Sequence, residues 1–527
     1  MKRSDPATLG VVVFVTFVSL GLRLAVVGQA GFPLNDGGLF YSMITDLARN
    51  QFILPITTTY NGAAIAFAYP PLAFYVYAVL NTLTRVPLLQ LMQYGPAVVS
   101  CASLPAFHGL ALDILRSKSR AALAMLAFAL MPRAFEWLIM GGGVTRSFGM
   151  LFALLAIRQA YRLFVARSSG ALVPLIVLGA CVAYSHPEAA THTAISGVLF
   201  YLWKDRSRKG FFQLLLTAAG VIALTSPWWG TVVSRHGWDP FLAIAAAARQ
   251  DSYNPLVGLF ALFRFEFADE PFLSIFSVLG LIGIFLQAAR RQFLLPVWLV
   301  AMHALEPRGG GLFMMMPMAM CAGLALESVV LPPLRAPGDA RAQDSGGGGQ
   351  GSLEWIEQLL AGPSVRLFVG FVVVYGMAAA YATGLSIWRE FTLSPPDLRA
   401  LTWVRDNTAP QSRFALITGG LPLRDASSEW FPPLTGRRSV GTVFGYEWDR
   451  RAEFAVRVER YRALQACAEL GPDCLQAWSS NYGEKIDFVY LAAGPGTASA
   501  ALSAFLSTSP QYEAVYSSQT VIIYRKK

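Results

Sequence analysis

Long apolar stretches separated by short polar or basic connectors fill the chain up to about residue 388, and from residue 389 the pattern becomes that of a soluble domain. Crossing about 30 Å of hydrocarbon takes about 20 apolar residues in a helix. That rule predicts eleven transmembrane helices, near 9–28, 94–115, 121–138, 148–166, 171–186, 189–203, 211–229, 271–289, 292–305, 312–331 and 366–388. Pro70 to Leu83 is also apolar and aromatic, but at 14 residues it reads as a helix lying in the outer interface. Phe74, Tyr75 and Tyr77 would form its amphipathic belt. Residues 29–93 then make one long outer loop. Residues 333–363 make a flexible cytoplasmic loop, since Asp344 to Ser352 is too rich in glycine to hold structure, with a short interfacial helix at Leu353 to Leu360.

Beyond residue 389 the periods predict helices at Asp397–Asn407, Ala452–Leu470 and Ala498–Leu506. They predict strands at Phe414–Thr418 and Phe488–Ala492, and an antiparallel pair over Tyr512–Tyr524 turning near Ser517. Alternating helices and strands imply a small α/β layer. Ser428 to Asp449 fits neither period and reads as an aromatic, charged binding loop facing the membrane domain. The predicted fold class is a polytopic α-helical membrane protein, residues 1–388, carrying a C-terminal extracytoplasmic α/β domain, residues 389–527.

Composition agrees. With 54% hydrophobic and 14% charged residues and a mean hydropathy of +0.46, the chain is too apolar for an ordinary soluble protein. The net charge of +10 sits in short clusters between apolar runs: Lys2 and Arg3; Arg116, Lys118 and Arg120; Arg162 and Arg167; Lys204, Arg206, Arg208 and Lys209; Arg290 and Arg291; Arg335 and Arg341. All fall on one side if the N-terminus is cytoplasmic, and an odd number of spans puts the C-terminus outside. This is membrane topology and not a nucleic-acid footprint. The first apolar run is long enough to span and lacks a small-residue cleavage site, so it reads as retained. Compact loops without organellar signals fit a plasma (inner) membrane. Cys101, Cys181 and Cys321 lie in apolar runs and read as packing residues, whereas Cys467 and Cys474 stand together in the polar C-terminal part, which if outside allows a small disulfide loop or two free thiols.

This topology gathers the chemically distinctive residues on the outer face. Asp36 follows the first span closely, where a carboxylate near hydrocarbon is costly, and either serves chemistry or caps a helix beginning near Gly38. The second outer loop carries Glu136 and Gly141-Gly-Gly-Val-Thr-Arg146, the third His186-Pro-Glu188 and His192, and the fifth Glu306-Pro-Arg308. Asp36 with Glu136, Glu188, His186 or His192 could ligate Mg²⁺ or Mn²⁺, the ion being assigned above all to Asp36, Glu188 and His192. Arg146 and Arg308 suit bidentate hydrogen bonds to phosphate. The glycines either admit phosphate to the backbone or allow close helix packing. Ordinary pairings compete with each reading, among them Arg308 with Glu306 and Arg133 with Glu136.

The assembled pattern resembles the GT-C superfamily, membrane glycosyltransferases that use polyprenyl-phosphate-linked sugars. The likeness rests on Asp36 in the first outer loop, Tyr69-Pro-Pro71 before an interfacial helix, Arg308 opening the late span Leu312-Phe-Met-Met-Met-Pro317, and an outer C-terminal domain. It implies that Asp36 is a metal ligand or the base toward the acceptor hydroxyl, assisted by Glu136 or Glu188 and His186. It also implies that Arg308 and Arg146 stand near the lipid phosphate. Tyr69, Glu429, Trp430, Arg437 and Trp448 would contact the acceptor, whether glycan, lipid or protein. The second loop has Gly142-Gly-Val-Thr-Arg146 where oligosaccharyltransferases carry an acidic pair, and their Trp-Trp-Asp-Tyr-Gly motif is absent. Two other readings stand beside an inverting transferase: a transporter or lipid flippase, and a non-catalytic envelope protein built on a similar fold.

Overall fold

The computed structural model describes residues 5–250, 267–335, 353–448, 454–493 and 499–527. The apolar stretches are helices. Pro6–Ala30 (α1) starts with Asp5, whose side chain accepts the Ala7 N–H, and stops at Gly31 in the left-handed region (φ 66°). The first loop then folds into Gly38–Arg49 (α2), the short antiparallel pair Thr57–Thr58 (β1) and Ile65–Ala66 (β2), and Leu72–Thr84 (α3). Leu88–Leu115 (α4), Lys118–Leu130 (α5), the single turn Glu136–Ile139 (α6), Gly143–Phe164 (α7), Leu172–Ser185 (α8) and Pro187–Phe200 (α9) follow. Next come Arg208–His236 (α10), Asp239–Gln250 (α11), Ile275–Ala289 (α12), Leu294–Leu305 (α13), Pro307–Phe313 (α14), Met315–Ala325 (α15), Glu354–Leu359 (α16) and Pro363–Phe391 (α17). Among the described residues, five helices are long and apolar enough to cross a membrane: Pro6–Ala30, Leu88–Leu115, Arg208–His236, Arg308–Leu334 and Pro363–Trp388.

Small residues set the closest approaches in the bundle. A Cβ added at Gly323 of α15 would meet the Ala124 backbone nitrogen of α5 at 2.7 Å, and one at Gly283 of α12 would overlap the Cys321 backbone of α15.

The two ends of the bundle differ chemically. At the end where α1 begins, Lys118 pairs with Asp5 (2.9 Å), Arg120 with Glu327, and Asp113 accepts from both Arg158 and Arg162. At the end where α1 stops lies Asp36, with Arg146 3.6 Å from its Oδ2.

The C-terminal part contains Pro395–Asn407 (α18), Arg413–Ile417 (β3), Ala426–Thr435 (α19), Arg438–Ser439 (β4) and Phe454–Leu470 (α20). Pro472–Tyr482 (α21), Phe488–Ala492 (β5), Ser499–Thr508 (α22), Tyr512–Ser517 (β6) and Val521–Lys526 (β7) complete it. The sheet order is β4-β3-β5-β7-β6, with β3 parallel to β4 and β5, and β7 antiparallel to β5 and β6. A Cys467–Cys474 disulfide joins α20 to α21. This layer does not stand apart from the first loop. Phe32, Leu39, Tyr60, Phe67 and Phe74 share one buried core with Trp430, Phe431, Val443 and Trp448.

Several expectations change here. The helix expected at 121–138 ends at Leu130, because Pro132 opens a separate 3₁₀ turn. Phe74 and Tyr77 are not an interfacial belt: both are buried, Phe74 against Phe40, Phe67 and Tyr69, and Tyr77 against Phe148. The stretch after Ser428 is not irregular throughout. It begins inside α19, which Asp425 caps by accepting the Ser428 N–H, and α21 is a further helix that the periodicity did not give. Asp251, Tyr253, Arg264 and Glu266, which the predicted topology puts in a fourth outer loop at about 230–270, lie outside the described residues, as do the Gly-rich run 344–352, Arg341, Lys2, Arg3 and Asp449.

Candidate active site

The Asp36 loop is clamped between two other segments. Gly141 N–H donates to Leu34 O (2.6 Å), and Gly142 N–H donates to Asp36 Oδ1 (2.8 Å). The glycines are there for Asp36. A Cβ at Gly141 would overlap the Asp36 carbonyl oxygen, and one at Gly142 would overlap Asp36 Oδ2 and come within 2.7 Å of Arg146 Nη1. Arg146 sits one turn into α7 with Nη1 3.6 Å from Asp36 Oδ2 and its guanidinium 5.2 Å from the Trp137 ring centroid. Oδ1 is thus held by a backbone amide, and Oδ2 faces a cation at longer range. Both side chains are about one-fifth exposed.

From the other side α19 closes on the loop. Glu429 Oε1 accepts the N–H groups of Gly37 (2.9 Å) and Leu39 (3.3 Å), capping α2 from 392 and 390 residues away in sequence. Asp36 is therefore not the cap of α2; that work falls to Glu429. Trp430 Nε1 donates to Asn35 O (2.9 Å), and its ring lies edge-on to Phe32 at 4.8 Å. Gly37 adopts φ 137°, which a side chain would not tolerate, and a Cβ there would meet the Trp430 ring at 3.0 Å. Burial first, and then the charge of Asp36, push the Glu429 carboxyl well above the usual carboxylate range.

Tyr69 closes a third side. Its hydroxyl is 3.2 Å from Thr145 Oγ1, and its ring packs on Trp448 (5.4 Å) and His186 (6.5 Å). Burial raises its hydroxyl above the ordinary phenol range, so it stays protonated.

Solved structures share this arrangement of elements over nearly the whole chain. ArnT from Cupriavidus metallidurans bound to undecaprenyl phosphate matches with a TM-score of 0.56 at 15% identity, covering 98% of this chain and 97% of that one. The Archaeoglobus fulgidus oligosaccharyltransferase matches at 0.57 and 12% identity, over 92% and 69%. Arabinofuranosyltransferase AftD from Mycobacteria matches at 0.56 and 14%; it covers 98% of this chain, which spans 40% of that protein's length. The chain has the GT-C fold. No family model and no curated protein matches its sequence.

Within this GT-C fold the remaining predicted residues divide into two groups. Glu188, in the first turn of α9, pairs with Arg308 (3.1 Å), and His186 is buried at the break between α8 and α9 that Pro187 enforces. Both lie within electrostatic reach of Arg146, so Asp36, Tyr69, Arg146, His186, Glu188 and Arg308 form one neighbourhood. The Arg308–Glu188 pair replaces the expected Arg308–Glu306 pair, because Glu306 instead accepts from Gly309 N–H (2.7 Å) and meets His192 Nε2 (2.8 Å).

The others border this neighbourhood or lie away from it, and each is engaged otherwise than expected. His192 is fully buried, stacked on Phe313 at 4.3 Å and joined to Glu306. Glu136 turns to Asp269, which takes a bidentate grip from Arg133 (2.5 Å to each oxygen), so the Arg133 guanidinium is bonded to Asp269 while its charge also acts on Glu136. Arg437 is spent on the end of α18, donating to Thr408 Oγ1 (3.0 Å), Arg405 O (2.7 Å) and Thr435 O (3.0 Å), so it does not face the site. Trp430 and Trp448 are buried and offer no open ring to a sugar; they hold the Asp36 loop and Tyr69 in place. Asp36, Glu188 and His192 each have these separate partners. Among the described residues no three His, Cys, Asp or Glu side chains are grouped to hold a metal ion. The Gly142 amide, Thr145 as the partner of Tyr69, and Trp137 beneath Arg146 are the parts of this machinery to which the sequence reading gave no role.

Proposed function

We propose that this chain is a membrane glycosyltransferase that moves a sugar from a polyprenyl-phosphate-linked donor to an acceptor hydroxyl or similar nucleophile, with inversion. The observation that carries this reading is the state of Asp36. One oxygen is fixed by the Gly142 amide, Oδ2 faces Arg146 at 3.6 Å without a hydrogen bond from it, and the side chain as a whole keeps about one-fifth of its surface exposed. A carboxylate so held can take a proton from the attacking group as it bonds to the anomeric carbon, acting as general base. The bond from that carbon to the phosphate oxygen breaks with its electrons, and the departing phosphate gains negative charge. Arg146 and the more exposed Arg308 are placed to meet that charge with paired N–H donors. Tyr69, held protonated beside Thr145, is placed to supply a further donor. The residues at hand do not fit a Mg²⁺ or Mn²⁺ ion carried jointly by Asp36, Glu188 and His192, and none of these steps runs through one.

The fold of ArnT, oligosaccharyltransferase and AftD supports this reading, as do the apolar helices and the chemical contrast between the two ends of the bundle. On the same reading the chain crosses the plasma membrane eleven times with its N-terminus inside. Residues 389–527 lie outside and close over the site. Purified protein incubated with a panel of labelled polyprenyl-phosphate sugars and membrane-extracted acceptors tests it. Transfer from at least one donor is expected. Specific binding of polyprenyl phosphate without transfer from any donor would favour a non-catalytic or transporting protein.

A further inference from the structure

Glu429 is an acid that the C-terminal part inserts against the Asp36 loop. Its side chain is 3% exposed; Oε1 accepts two backbone N–H groups at the start of α2, and Oε2 is buried without a hydrogen-bond partner. The Glu429 carbonyl oxygen accepts from the Tyr60 hydroxyl (2.9 Å), and a Cβ at Gly38 would overlap that same carbonyl. The charged and titratable groups facing the carboxyl come from every neighbouring described element: Asp36 ahead of α2, Arg146 on α7, Tyr60 in the turn 60–62, and Glu447 in the turn 446–448. Asp36 and Glu447 oppose a second negative charge there, and Arg146 feels Asp36 and Glu188 more strongly than Glu429. A bare Oε2 anion in that setting would have no partner.

We propose that Glu429 is a positioning residue for Asp36: as a neutral acid it docks α19 onto the start of α2 and fixes the Asp36 loop, and its ionisation undocks that loop. The C-terminal part then completes the site by supplying the cap of the helix that follows the base. As a consequence for catalysis this rests on the transferase reading; as a conformational device it does not. The sign follows from the raised carboxyl. Its contribution to docking is complete below the ordinary carboxylate range and is lost as pH rises through the raised value.

Hydrogen exchange at the amides of Gly37 to Leu39 tests this in the full-length protein in detergent or nanodiscs, corrected for the intrinsic rate at each pH. Wild type is expected to lose protection as pH rises. Glu429→Gln keeps the neutral acceptor, so it should retain wild-type protection and abolish the loss. Glu429→Ala should lower protection about tenfold at every pH, the effect of an absent N-cap. An unchanged alkaline loss in Glu429→Gln, or wild-type protection in Glu429→Ala, overturns the proposal; if the alanine protein fails to fold, the glutamine arm still decides. In a transfer assay Glu429→Gln should move the alkaline limb to higher pH with donor KM within about twofold, whereas a Gln variant as inactive as Ala would make the acid itself catalytic and overturn a positioning role. Exchange behaving as stated with no transfer even in wild type would refute the transferase reading and leave the docking device intact.

Discussion

Gly142→Ala isolates the placement of Asp36 from everything else. Gly142 has helical backbone angles (φ −63°, ψ −17°), which alanine adopts without strain. The substitution therefore stiffens the unfolded chain slightly and should stabilise by up to about 1 kcal/mol were the space open. The space is not open, since the new Cβ would overlap Asp36 Oδ2 and lie 2.7 Å from Arg146 Nη1. The carboxylate and guanidinium, both partly exposed, have room to give way, whereas the helix start does not. A reacting group displaced by about 1 Å costs about 10²-fold in rate. Transfer by Gly142→Ala should fall about that far, with melting temperature close to wild type, while Gly170→Ala, where a Cβ meets nothing within 4 Å, should leave both unchanged. Steady-state transfer and thermal unfolding on the same preparations give the two readouts. Full activity in Gly142→Ala would refute the argument that the glycine exists to seat Asp36, and a loss matched by unfolding would reduce it to a packing defect.

Trp430→Ala removes a fully buried indole and the bond to Asn35 O, and should destabilise by about 3–5 kcal/mol, read by thermal unfolding; a small effect would show that α19 does not hold the first loop. Cys467→Ser with Cys474→Ser should cost the C-terminal part about 2 kcal/mol, as expected for a short closed loop, and proteolysis of that part should accelerate; unchanged resistance would contradict this. Arg308→Ala should raise donor KM about tenfold, whereas Arg437→Ala, whose donors are spent on α18 and Thr435, should lower stability by about 1–2 kcal/mol with donor and acceptor KM unchanged. The reverse pattern would put Arg437 in the site.

What the chain declares locally survived translation into structure. Pro187 ends α8 and starts α9, and the strands at 414–418 and 488–492 appear within a residue or so, because proline stereochemistry and apolar periodicity act over a few positions. Pairings across the fold were beyond that range. Glu136 meets Asp269 and Glu429 meets Gly37 through contacts that no spacing encodes. Some signals were present and unread. Asp425 three residues before Ser428, with Gly436 at the far end, is a cap-to-cap helix signature that Pro432 and Pro433 obscured. Glu306 ahead of Pro307 similarly marks the start of α14, which explains why Glu306 is not free for Arg308. The triple glycine was read as room for phosphate or helix packing; Asp36 fills the space at Gly141 and Gly142, while Gly143 packs against Leu138 of α6 and Pro96 of α4.

The measurement that bears most directly on the account is sugar transfer from a productive polyprenyl-phosphate donor by wild type and Asp36→Asn, each with and without EDTA, with donor binding followed in parallel. Asparagine keeps the shape and the acceptor for the Gly142 amide but cannot take a proton. The account predicts transfer reduced by at least about 10²-fold in Asp36→Asn, donor binding preserved, and wild-type transfer unaffected by EDTA. Transfer at the wild-type rate in Asp36→Asn would contradict it.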